Sequence, residues 1–77
     1  MPSVGVWKGY RVIVNTEDHA PAHVHVVKDG KAILIDLDSC KAYNAKGRPT
    51  IAMVREAESI VSEHVAECRA EWKKWHE

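Results

Sequence analysis

The chain has 77 residues, 45% of them hydrophobic, with no Phe and with Leu only as Leu34 and Leu37. A chain this short hides only about 60% of its unfolded surface, so its thin core predicts one domain, residues 1–77, that gains buried surface in a homodimer or on a small protein partner. Eleven basic and 11 acidic residues give a net charge of +0, which excludes a polycation or an acidic tail, and no apolar run is longer than Ala32–Ile35, which excludes a membrane-spanning helix.

Val4–Trp7 and Tyr10–Asn15 alternate like strands around Lys8-Gly9, a plausible two-residue hairpin turn. Thr16–Pro21 reads as loop. Ala22–Lys28 and Lys31–Leu37 flank Asp29-Gly30, a stronger hairpin signal. Asp38–Arg48 has Asn44 and Gly47 as turn formers and reads as irregular, with room for one short strand or helical turn. Pro49 and the potential cap Thr50 then open one long helix without a later Gly or Pro. Val54, Ala57, Val61, Val65, Cys68, Trp72 and Trp75 lie within about 40° of a common direction on it. Glu56, Glu63, Glu67 and Lys74 point the other way. The stripe has only the sheet to lie on. The expected fold is α+β: two β-hairpins forming an antiparallel sheet covered on one face by a long C-terminal helix.

The Asp29-Gly30 turn decides which side chains meet. It pairs Lys28 with Lys31, Val26 with Ile33 and Val24 with Ile35. Ala22, Val24, Val26, Ile33, Ile35 and Leu37 then share an apolar face. His23, His25, Val27, Ala32, Leu34 and Asp36 share the other, with His23 opposite Asp36. A slip by one residue would bury both histidines and expose the valines, so burial selects this register. Asp36 is expected to accept a hydrogen bond from His23. His19, on a loop stiffened by Pro21, can fold over the same surface.

His19-Ala-Pro-Ala-His23-Val-His25 resembles the H-x-P-x-H-x-H signature of a small bacterial family described as domain of unknown function 4160. The likeness extends to the Met1-Pro2 opening, the strand through Gly9-Tyr10-Arg11, the acidic loop at Glu17-Asp18, the Gly30 hairpin, and a final helix with His64 and Trp72 eight residues on. The resemblance implies a cytoplasmic module encoded beside another small gene, in an arrangement like a toxin–antitoxin pair. It implies no enzyme activity.

Three uses of the histidine face stay open. It is an interface for a second copy or a protein partner, with Val27 and Leu34 adding apolar surface. Or His23 and His25 divide base and acid roles in RNA cleavage, with Asp36 orienting an imidazole and the basic stretch Lys41, Lys46, Arg48 holding phosphates. Or His19, His23 and His25, with Asp36 near, ligate a divalent transition metal such as zinc, nickel or copper. The bland reading beside all three is a structural histidine cluster. Cys40 and Cys68 read as reduced thiols of a cytoplasmic protein. His64 reads as a boundary residue of the apolar stripe, and His76 as a solvated end. Trp72 and Trp75 read as sealing the open end of the sheet. Ser3, Ser39, Ser59 and Ser62 lie in no nucleophile motif, and the four glycines form no phosphate loop.

Overall fold

Two short turns organise the sheet. Lys8 and Gly9 (φ 55° and 80°) and Asp29 and Gly30 (φ 51° and 76°) place two consecutive residues in the left-handed region, the geometry that matches the twist of paired strands. The computed structural model describes residues 3–15 and 21–76. Its strands are β1 (Ser3–Trp7), β2 (Tyr10–Ile13), β3 (His23–Lys28), β4 (Lys31–Asp36) and β5 (Lys41–Lys46), followed by helices α1 (Ile51–Glu63) and α2 (Val65–His76). The strands form one antiparallel meander in the order β1-β2-β3-β4-β5. The fold is α+β, with the helices packed on one sheet face.

The β3–β4 register is the expected one, from Lys28↔Lys31 out to His23↔Asp36. The two hairpins join through β2 and β3, where Val12 meets Val26 and Ile13 meets His25. Period-two alternation then assembles the core. Tyr10, Val12, Val14, Val24, Val26, Ile33, Ile35 and Leu37 come from the sheet, and Ala57, Ile60, Val61, Cys68 and Trp72 from the helices.

The structure departs from the sequence expectation in two places. The Asp38–Arg48 segment contains a full strand, β5. Its sequence, KAYNAK, is poor in β-branched residues, and it is held by pairing along β4 with an irregularity opposite Leu34/Ile35. Pairing supplied what propensity did not. The long helix is also two helices. Thr50 caps the first, its hydroxyl accepting the Met53 N–H at 3.1 Å. His64 ends it, with φ −119° and its N–H shared between the Ile60 and Val61 carbonyls at 3.1 and 3.2 Å. Its ring stacks on Trp7 at 3.8 Å between centroids. The break resets the helical phase. Cys68 and Trp72 stay in the core, but Trp75, expected in the stripe, is 48% exposed and gives its indole N–H to Glu71 at 2.7 Å.

Gly47 (φ 80°) closes β5 against the β3–β4 turn. A Cβ there would stand 2.8 Å from the Gly30 carbonyl oxygen and 3.0 Å from the Lys31 Cα, both backbone atoms with little freedom to give. Gly47→Ala is therefore expected to lower stability by about 1–3 kcal/mol, since strained φ and a backbone clash coincide. Chemical denaturation with an unchanged slope and a lower midpoint is the expected result.

Candidate functional site

The β3 start, the β5 bulge and the α2 end bring four aromatic or imidazole rings to one corner of the sheet. The His23 ring lies 5.5 Å from His25, 6.0 Å from Tyr43 and 5.3 Å from Trp72. Trp72 in turn stacks on His76 at 3.7 Å with planes 12° apart. His23 and His25 thus do lie side by side, but in unequal surroundings. His23 is 8% exposed, with Trp72 of α2 beside it, whereas His25 is half-buried.

Hydrogen bonding orients His23 differently from expectation. Its Nδ1 lies 2.8 Å from the Pro21 carbonyl oxygen. A carbonyl only accepts, so Nδ1 carries a proton. Asp36 stands opposite His23 in register, yet its carboxylate belongs to the next turn. Oδ1 accepts the Asp38 N–H at 2.7 Å and the Ser39 N–H at 3.3 Å. A short turn with two amides to satisfy sits directly after Asp36, and the carboxylate reaches them first.

The expected third imidazole, His19, lies outside the described residues. Among the described residues no group of three His, Cys, Asp or Glu is placed to hold a metal ion. His64 takes the expected boundary position, its Nδ1 3.4 Å from the Glu67 carboxylate. His76 is no solvated end. Its Nδ1 donates to the Trp72 carbonyl at 3.0 Å, four residues back, and its Nε2 is buried without a hydrogen-bond partner among the described residues. Sequence spacing offered a faint signal for this contact, because positions 72 and 76 are neighbours on a helix. Tyr43 was missed for want of the β5 assignment.

The two sheet edges are unlike. Lys28 and Lys31 flank the turn as a hydrogen-bonded pair, and the alternation of an antiparallel ladder directs the backbone groups of Ile33 and Ile35 toward β3. Their β5 partners, Ala45 and Ala42, therefore face outward. Both outward N–H groups are taken by side chains: Ala42 by the Glu58 carboxylate at 2.8 Å and Ala45 by the Asn44 amide oxygen at 2.9 Å. On β1 the same alternation, counted from Trp7↔Tyr10, turns the Val6 backbone outward. Val6 is 59% exposed, and no side chain among the described residues caps its N–H.

The two cysteines are free. Cys68 is fully buried, and burial, with Glu67 and Cys40 adding negative potential, pushes its thiol up from 9.0 to about 12. Burial likewise lifts the Tyr10 phenol from 10.0 to about 12, with the Glu56 and Asp29 carboxylates adding to the shift. Neither group is a nucleophile near neutral pH.

A family model described as Domain of unknown function (DUF4160) matches residues 9–73. No curated protein and no solved structure matches the chain. Among the described residues no helix is long and apolar enough to cross a membrane.

The raised values of Cys68 and Tyr10 set an alkaline limit. Above pH 9 the unfolded chain loses these protons while the folded chain keeps them, so stability is full below pH 9 and falls as pH rises toward about 12. Thermal melts from pH 8 to 11 are expected to show a falling midpoint. A thiol reagent at pH 8 is expected to label half-buried Cys40 in the native protein and Cys68 only after unfolding, as peptide mass spectrometry would report.

Proposed function

The chain belongs to the DUF4160 family, and from its geometry we propose that it is a partner-binding module, the docking half of a toxin–antitoxin-like pair in the bacterial cytoplasm. The observation that carries this reading is the inequality of the sheet edges. β5 is sealed by Glu58 and Asn44, whereas β1 offers the uncapped backbone of Val6. An unsealed edge is a template for another strand. The proposed occupant is an extended segment of a partner protein that adds to β1 by main-chain hydrogen bonds. The exposed Val6 side chain, on the face turned away from the helices, supplies apolar contact beside the new strand. A thin core made mainly of Val and Ile gains from the added burial.

A second reading has a specific support, the 5.5 Å approach of the His23 and His25 rings. One imidazole held as a donor at Nδ1, beside a second one, meets the minimum for acid–base cleavage of RNA. The orienting group in that case is the Pro21 carbonyl rather than Asp36. A metal-binding reading rests on the same pair and needs His19 as a third ligand to zinc, nickel or copper.

Val6→Pro separates the edge from the histidines. Proline removes the outward N–H, leaves the β1–β2 ladder bonds in place and suits an edge strand. The melting temperature is expected to hold while affinity for the product of the adjacent gene, measured by calorimetry, falls about tenfold or more. Unchanged affinity removes the β1 reading. Growth arrest on induction that disappears in the His23→Ala, His25→Ala double variant would favour RNA cleavage instead. Equimolar zinc that shifts the imidazole NMR signals of both residues would favour the metal.

A further inference from the structure

We propose that the cleft between the β4–β5 turn and α1 binds a small phosphate-bearing anion, independently of any strand docked on β1. The cleft has a volume of ≈ 270 Å³ and is lined by Ser39 and Cys40 from the turn, by Lys41 at the start of β5, and by Arg55, Glu58, Ser59 and Ser62 from α1. Steps of three and four residues put the helical members on one face of α1. Polar side chains line this hollow from both sides, so it is not a gap in the core.

Its charge balance favours an anion. Glu58 is the one carboxylate lining the cleft with Lys41 and Arg55, and it is turned to the Ala42 N–H at 2.8 Å, while Asp36, opposite Lys41 in register, is turned to the Asp38 and Ser39 N–H groups. Neither cation pairs with a carboxylate among the described residues, where Arg69 pairs with Asp38 and His64 with Glu67. The Ser39 hydroxyl oxygen accepts the Lys41 N–H at 3.2 Å, which leaves its own O–H to donate. The hydroxyls of Ser59 and Ser62 are bonded to no protein group among the described residues.

These donors suit phosphate in kind and number. A guanidinium fork binds two phosphate oxygens in plane, an ammonium adds a point charge, and three hydroxyls remain for the other oxygens of a tetrahedral dianion. The volume lies below the roughly 300–1,000 Å³ of sites for drug-sized ligands, which points to a phosphate group rather than to a large organic molecule. Of the basic stretch Lys41, Lys46 and Arg48, only Lys41 lines the cleft. Its second cation comes from Arg55 in α1, which no local reading of the sequence pairs with it.

The test is an amide NMR titration of the whole chain with inorganic phosphate and, separately, with a nucleoside 5′-monophosphate, each against chloride at equal ionic strength. Saturable shifts at Lys41, Arg55, Ser59 and Ser62 are expected with phosphate and not with chloride. Tighter binding of one phosphate source than the other tells whether the free ion or a phosphomonoester fits better. Lys41→Gln with Arg55→Gln, both exposed and so not needed for folding, should weaken binding about tenfold or more. Glu58→Gln keeps an oxygen for the Ala42 N–H, removes the opposing charge, and should tighten binding. Shifts equal to those of chloride, or binding indifferent to all three substitutions, would overturn the proposal.

Discussion

Everything in this fold is referred to the pairing set by the Asp29-Gly30 turn. Two consecutive residues with positive φ leave one way to pair β3 with β4. Side-chain alternation then sorts Val24, Val26, Ile33 and Ile35 to one face and His23, His25, Leu34 and Asp36 to the other. The apolar face is the floor on which both helices lie, and the corner that holds the imidazoles is its geometric counterpart. A slip of one residue would exchange core for surface along both strands, so register and core are one constraint.

The second organising contact is His64 on Trp7. A helix from Ile51 to His76 kept straight would leave one end of the sheet uncovered. Breaking at His64 lets α1 serve β4 and β5 while α2 turns back toward β1 and the β3 start. The consequence reaches the candidate site. Only because α2 has its own direction does Trp72 arrive beside His23 and His76 stack behind it. Arg69, reaching the Leu37 carbonyl at 3.1 Å and the Asp38 carboxylate at 2.9 Å, holds α2 to the β4–β5 turn, though an exposed ion pair adds little to stability by itself.

Edge chemistry and cleft chemistry share a residue. Glu58 seals the β5 edge by taking the Ala42 N–H, and in doing so it lends part of its charge to the backbone inside the polar cleft. One carboxylate thereby shapes two surfaces. It closes an edge to strand addition, and it lowers the opposition that an incoming anion would meet from the helix. Among the described residues no side chain caps the outward Val6 N–H of β1, which lies at the other end of the strand order from β5.

Local patterns were enough for the two hairpins, their turns, the β3–β4 register, the start of α1 and the adjacency of His23 and His25. Each depends on residues close in sequence, on period-two alternation or on a capping hydroxyl, and these act before the chain is folded. Three features depended on contacts between distant segments. KAYNAK became β5 because β4 had an open ladder to fill, not because its residues prefer strands. The helix breaks at His64, whose ring stacks on Trp7 from the other end of the chain. Asp36 turned from His23 to the amides of Asp38 and Ser39, leaving the Pro21 carbonyl to orient the imidazole. In all three the intrinsic preference was weak, and the choice passed to whichever partner the tertiary structure brought within reach.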